Sequence, residues 1–279
     1  MGSLSDPDTG REPAGSAPGP APLSWRLLVD QPLPGASNMA RDHALASLAR
    51  PGTGTLRFYR WNPATISFGR NEPVAVAYRE VLRCDPEMGV VRRPTGGRAV
   101  IHDREMTYSV ILPVRGSGGL RSAYRKINEG LVVGLRHLGV EAARAAGRAL
   151  NPGSGPCFLE PAEGEVMVEG RKLVGSAQAR IGGAILQHGS LLLVANQEAL
   201  LARRHVHGGS DERAPRGPVT LNEVLGEVPP WKRLVAALAG GFEDVFGGQW
   251  DPGSMTGGES ALAAKLEKRY GSREWTWRR

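Results

Sequence analysis

The sequence predicts an α+β fold in which mixed and antiparallel sheets are flanked by helices. Three observations point there. Short runs with period-2 apolar alternation recur along the chain, as at residues 55–61 and 107–112. Two segments carry apolar residues at helical spacing instead: Tyr124, Ile127, Leu131, Leu135 and Leu138, then Trp231, Leu234, Leu238 and Phe242. Strands and helices follow no regular alternation, which disfavours a doubly wound parallel sheet.

Each element follows in order. Residues 1–24 hold five Pro and four Gly among Ser, Ala and Asp, too little apolar surface for a core, and read as a disordered leader. Residues 25–30 form the first expected strand. A helix is expected over 38–48 with Ser37 or Asn38 as N-cap. Strands follow at 55–61 and at 65–70, the latter interrupted near its end by Gly69. Val90 to Arg93 lead into the pair Gly96-Gly97, and Ala99 to Ile101 leave it. Residues 107–112 are the next strand and 122–138 an amphipathic helix. A Pro/Gly loop at 151–156 precedes Cys157. Strands at 165–169, 172–180 and 185–194 are joined by tight turns at Gly170 and Gly182-Gly183. Residues 231–247 are the last clear helix. The expected organisation is a leader over 1–24, one catalytic domain over 25–250, and a Gly/Ser linker with a peripheral basic tail over 251–279.

Composition narrows the class. A chain of 279 residues with 41% hydrophobic and 23% charged residues is ordinary for a soluble enzyme. No apolar run approaches the ~20 residues of a membrane span. The first residues lack a basic then apolar signal, and Asp6 stands where a myristoylation signal needs Ser or Thr. Two cysteines, Cys84 and Cys157, argue against a disulfide scaffold and fit a reducing cytoplasm. The net charge is +7, and residues 265–279 hold six Lys or Arg against two Glu. No basic stripe interleaved with aromatics is present, so nucleic acid is a poor partner. An acidic partner and plain solubility both remain open.

Several residues are candidates for chemistry. In the segment 91–103, Gly96 and Gly97 let backbone N–H groups approach a ligand, and Arg93, Arg98 and His102 favour a polar or anionic head. Cys157 reads either as a buried small hydrophobe or as a nucleophile, since Lys172, fifteen residues on, would stabilise its thiolate. Lys172 itself reads as a hairpin-turn residue or as that partner. The small run Gly175-Ser176-Ala177 marks a close backbone approach. His188, followed by Gly189, is a core histidine or a pocket residue. His102 and Asp103 are adjacent on a strand and point to opposite faces, so a Cys157–His102–Asp103 triad is set aside. His205 and His207 read as surface loop, without a third ligand for a metal. Cys84 reads as structural or incidental.

These motifs match a known family. Residues 92–103, Arg-Arg-Pro-Thr-Gly-Gly-Arg-Ala-Val-Ile-His-Asp, resemble the signature of the lipoate ligase, biotin ligase and octanoyltransferase superfamily. Residues 170–178 resemble its second motif, with the characteristic lysine at Lys172, and residues 186–191 its third. Asn38-Met39-Ala40 and residues 57–65 are similar to its N-terminal part. The resemblance covers roughly residues 25–250. Lipoate ligases carry a third Gly where Arg98 stands and need no cysteine. The chain is most similar to the LipM class of octanoyltransferases, which pairs a loop cysteine before Phe with the motif lysine, as Cys157-Phe158 and Lys172 do. The related LipL amidotransferases depart at residues 95–98 and at His102.

The resemblance implies the biotin/lipoate ligase catalytic fold, which is like that of class II aminoacyl-tRNA synthetases. It implies octanoyl transfer from octanoyl-acyl carrier protein to a lysine of the glycine cleavage H protein or a lipoyl domain. Cys157 would hold the octanoyl group as a thioester and Lys172 would favour its thiolate. Arg93, Thr95, Gly96, Gly97, Arg98, His102, Gly175, Ser176, Ala177, His188 and Gly189 would bind substrate. The flanks of the Gly96-Gly97 loop and residues 185–194 would line an eight-carbon tunnel. Thioester to amide is downhill, so no ATP, metal or other cofactor is expected, and the enzyme would act as a monomer without a membrane. An ATP-dependent lipoate ligase, a LipL-type amidotransferase and a non-catalytic acyl-binding module are the alternatives.

Overall fold

A computed structural model describes residues 23–74, 76–114, 118–145, 164–194, 197 and 217–278. The strands are β1 Ser24–Val29, β2 Thr53–Tyr59, β3 Thr65–Phe68, β4 Gly89–Arg92, β5 Val100–His102, β6 Glu105–Pro113, β7 Ala143–Arg144, β8 Val166–Val168, β9 Arg171–Ile181, β10 Ala184–Leu192 and β11 Gln249–Pro252. The helices are α1 Gly35–Ser47, α2 Val76–Cys84, α3 Leu120–Arg136, α4 Leu221–Leu225, α5 Trp231–Phe246, α6 Gly257–Tyr270 and α7 Arg273–Thr276. An eight-stranded sheet runs β11-β1-β2-β6-β10-β9-β8-β7, and a three-stranded sheet runs β4-β3-β5. In the large sheet β1 is parallel to β2 and to β11, and the remaining pairings are antiparallel. The α+β expectation, with mixed and antiparallel sheets flanked by helices, holds.

The two faces of the large sheet bury different residues because side chains alternate along a strand. One face packs under α3 and α5: Leu56, Phe58, Tyr108, Val110, Ile127, Leu131, Leu238 and Phe242 belong to a single apolar cluster. The helices α3 and α5 cross with almost no side chain between them. A Cβ on Gly241 would sit 2.1 Å from the backbone N of Gly134, so only glycine permits that crossing. The other face receives α1, and the small sheet closes over the same side. Val91 joins Met39, Tyr59 and Trp61 in a second cluster there.

Three elements differ from the sequence expectation. Helix α1 begins at Gly35, three residues early, and neither Ser37 nor Asn38 caps it. Asn38 is fully buried, and its amide nitrogen donates to the carbonyls of Leu33 and Arg60, both at 3.1 Å. Its oxygen is used tertiarily, accepting from Arg57, which a cap reading does not anticipate. Helix α2 was not expected, although Tyr78, Val81 and Leu82 have helical spacing and pack on Phe68 and Ile101. In place of a linker and peripheral tail, residues 249–276 form β11, α6 and α7. Helix α6 begins with a Thr256/Glu259 capping box, and Glu259 also holds Arg26 of β1 at 2.7 and 3.1 Å. Tyr270 and Trp275 are buried against α1. The apolar residues of this segment are few but large, which a compositional reading undercounts.

Candidate functional site

A cavity with about 360 Å³ of empty space lies between the small sheet and the α1 side of the large one. Met39 of α1, Tyr59, Trp61 and Thr107 form one wall, Ser67, Arg93, Val100 and His102 a second, and Gly175 to Ala177 with His188 to Ser190 the third. Small residues on β9 and β10 are what leave room there.

The Gly96-Gly97 loop is held from beneath by Arg93. Its guanidinium donates to the carbonyls of Gly96 (2.8 and 3.1 Å), Arg98 (2.7 Å) and Ser67 (3.0 Å), and to Ser67 Oγ (3.0 Å). The loop lies directly on the end of β3: a Cβ at Gly69 would fall 1.9 Å from Gly97 O. The glycine that interrupts the expected strand is thus the seat of the motif loop. Buried Glu72 completes the seat, accepting from the backbone N–H of Gly69 and Ala99 and from the Tyr78 hydroxyl.

The histidines of the cavity are each held by a buried carboxylate. Asp42, on α1, accepts from Arg57 Nη1 (2.7 Å), Ser109 Oγ (2.8 Å), the Tyr59 hydroxyl (2.9 Å) and His188 Nδ1 (3.0 Å). An ionised carboxylate only accepts, so Nδ1 carries the proton and Nε2 accepts from Thr95 Oγ1 at 2.6 Å. Burial opposes charge on Asp42, but Arg57, His188 and Ser109 outweigh it and hold its pKa below the usual value. Burial pushes the His188 pKa down, beyond what Asp42 restores, so the ring is neutral. Burial likewise raises the Tyr59 hydroxyl well above its normal range. His102 repeats the pattern: Nδ1 faces Glu105 Oε1 and Nε2 faces Ser67 Oγ, both at 2.7 Å. Trp61 lies over the His102 ring at 4.0 Å and 13°, and donates from Nε1 to Thr107.

The sequence-predicted residues therefore divide. Arg93, His102, Gly175, Ser176, Ala177, His188 and Gly189 meet around one cavity. Thr95 stands behind it on His188, while Gly96, Gly97 and Arg98 form the loop clamped by Arg93 and are not among its lining residues. Lys172 is buried and donates to Glu165 at 2.7 Å, and it too is outside the lining. Cys157, Phe158, the loop 151–156, His205 and His207 lie outside the described residues. Asp103 pairs with Arg104 at the surface, as expected of a residue that points away from His102, and Glu105 takes the carboxylate's place. Cys84 is exposed.

Sequence reasoning missed Asp42, Arg57, Ser67 and Glu105. A signal existed for the first: Asn38 and Asp42 are polar residues one turn apart on a helix otherwise rich in small apolar residues. Among the described residues no group of three His, Cys, Asp or Glu side chains is placed to hold a metal ion.

The polar groups of the wall are thus spent on one another. What faces the cavity is ring faces, a Met side chain, Val100 and glycine backbone, a lining suited to an apolar chain. A mixed sheet with a smaller sheet folded over such a cavity defines an α+β domain built around a small-molecule site.

Comparison with known proteins places it further. Residues 34–243 match the family model of the lipoyl protein ligase A/B catalytic domain, and the chain belongs to that family. It is 40% identical to the octanoyltransferase LipM of Kyrpidia tusciae, over 92% of this chain and 99% of the relative. It is 35% identical to the octanoyltransferase LipM of Bacillus subtilis over the same shares. Among solved structures, an archaeal lipoylation system, a bi-partite lipoate protein ligase and its E2 lipoyl domain from Thermoplasma acidophilum, aligns with a TM-score of 0.71 at 25% identity, covering 91% of this chain and 96% of the other. A lipoate-protein ligase A bound with ATP shares the fold, with a TM-score of 0.73 at 24% identity and coverage of 91% and 99%.

Proposed function

We propose that the chain is an octanoyltransferase of lipoate biosynthesis that moves an octanoyl group from octanoyl-acyl carrier protein to a lysine of an acceptor domain. The observation that carries this reading is the cavity whose polar wall is internally satisfied, in a chain 40% identical to an octanoyltransferase over nearly its whole length. A flexible alkyl chain gains from contact with such a lining, and a charged ligand would find no unspent donors in the Arg93 or His188 arrays.

The reaction proceeds in two steps. Cys157 as thiolate attacks the thioester carbonyl, forms a new C–S bond and expels the carrier thiolate. The acceptor lysine, as free amine, then attacks the acyl-Cys157 carbonyl, forms the amide and returns the thiolate, its proton passing to solvent or a nearby base. Lys172 favours the thiolate and orients the carbonyl. It lies three residues from cavity-lining Gly175, ~10 Å along β9 at strand rise. Glu165 holds it there. The acceptors are the glycine cleavage H protein or lipoyl domains, and no ATP is consumed. No described helix is long and apolar enough to cross a membrane, and the enzyme works as a monomer in the cytoplasm.

Incubation with octanoyl-acyl carrier protein, without ATP, tests this. The expected result is a mass increase of one octanoyl group on the enzyme, absent in Cys157→Ala, followed by octanoyl transfer to the H protein. Full transfer by the alanine variant would remove the covalent step. A requirement for ATP and free lipoate would assign the ligase reaction instead.

A further inference from the structure

The wall of the cavity is a fixed frame with one yielding side chain. Exposure gives the cavity a direction. Ser176, Ala177 and Gly189, on β9 and β10, are partly exposed and form its rim, whereas Met39, Tyr59, Ser67 and Thr107 are 0–2% exposed and form its closed end. Three of these four are tied by hydrogen bonds. Tyr59 donates to Asp42 at 2.9 Å and has the Arg57 guanidinium 3.8 Å over its ring. Ser67 is held by His102 (2.7 Å) and Arg93 (3.0 Å). Thr107 accepts from Trp61 at 2.7 Å and donates to Glu105. Val100, on the side wall, is β-branched and packs on Leu192, which leaves it one stiff rotor. Among the described lining residues, Met39 alone combines an apolar side chain with three rotatable bonds and no strong hydrogen-bonding group. Its backbone is nevertheless fixed from both sides. Asn38 donates to the carbonyls of Leu33 and Arg60, and Asp42, one turn on, collects four donors.

We propose that Met39 is the stop at which the acyl chain ends, so that this side chain sets the chain length the enzyme transfers. The inference rests on the transferase reading above and adds its length selectivity. Lys172 stands on the same strand as the rim, three residues before Gly175, so the reacting carbonyl stays at β9 and the chain points toward α1. The hydrogen-bonded frame fixes the girth of the cavity, and the thioether fixes its depth. An unbranched, polarisable side chain fits closely around a methyl terminus. A chain too long by a methylene must push Met39 into its packed neighbours Tyr59 and Val91, and a close-packed interior resists that. A chain too short leaves a void at the closed end and forfeits those contacts.

The test compares wild type with Met39→Ala, which clears room for roughly two more methylenes, with Met39→Leu, which keeps the volume, and with Met39→Phe, which shortens the cavity. Transfer of hexanoyl, octanoyl, decanoyl and dodecanoyl groups from their acyl carrier proteins is measured as kcat/KM. The thermal shift given by the matching free fatty acids reads binding without turnover. The expected result for Met39→Ala is a decanoyl-to-octanoyl ratio raised on the order of tenfold or more, the scale of one misfitted methylene in an apolar pocket, with the thermal shifts in the same order. Met39→Leu should keep octanoyl as the preferred group. Met39→Phe should favour hexanoyl, which keeps the test open should the alanine variant not fold. An unchanged length profile in folded Met39→Ala or Met39→Phe would overturn the proposal. So would an equal loss at every chain length. Wild type that is stabilised by octanoate but transfers no acyl group would instead refute the transferase reading, with the stop still decided by the thermal shifts.

Discussion

Asp42 is the residue on which the site's internal order depends. It is buried, charged, and accepts from four donors contributed by β2, β6 and β10. Arg57, equally buried, has Asp42 and Asp30 as its carboxylate partners. Neutralising Asp42 leaves the buried guanidinium with Asp30 as its carboxylate partner and takes the charge from a site that four donors converge on. Asp42→Asn is therefore expected to cost about 3–5 kcal/mol in urea unfolding, far more than an exposed substitution. His188 gives a pH signature. Its folded pKa lies below the unfolded value of 6.5, so as pH falls through 6.5 the unfolded chain takes up a proton that the folded one refuses. Stability is then lost toward acid, by up to about 1.4 kcal/mol per pH unit. Unfolding measured between pH 7.5 and 5 should show this slope, and His188→Gln should flatten it. The motif histidines were legible in the sequence, but their carboxylates were not. Asp42 and His188 are 146 positions apart, and nothing local marks their meeting.

At the level of elements, glycines mark where two pieces of backbone touch. Gly69 is read from sequence only as the interruption of a strand, yet the Gly96-Gly97 loop occupies the space a Cβ would need. Gly69→Ala should displace that loop and lower octanoyl transfer at least tenfold, an order-of-magnitude expectation for ligand-positioning errors, while circular dichroism stays that of wild type. Helix α6 is the element that composition hid. Its periodic apolar face is weak, and its attachment is polar: Glu259 closes a capping box and grips Arg26 in one stroke. Glu259→Ala should destabilise the protein by about 1–2 kcal/mol in denaturant unfolding, the sum of a lost cap and a half-buried pair. The long strands and α3 and α5 were readable because period and length agree there. Their boundaries shifted by two residues or fewer, whereas α1 began three residues early, where the tertiary hydrogen bonds of Asn38 replaced local capping.

For the whole molecule, the α+β class followed from irregular strand and helix order, but the sheet order did not. The central place of β6 and β10, and the parallel partners of β1, depend on pairings between distant residues.

The parallel pairing of β1 with β11 has a consequence for how the chain matures. Ser24 pairs with Gln249, and α6 then returns to cover α1, the helix that supplies Met39 and Asp42. During synthesis β1 and α1 emerge more than 200 residues ahead of these partners. Long-range pairings of this kind form late and slowly. The helix that lends Met39 to the cavity thus waits for its cover until residues 249–270 have emerged.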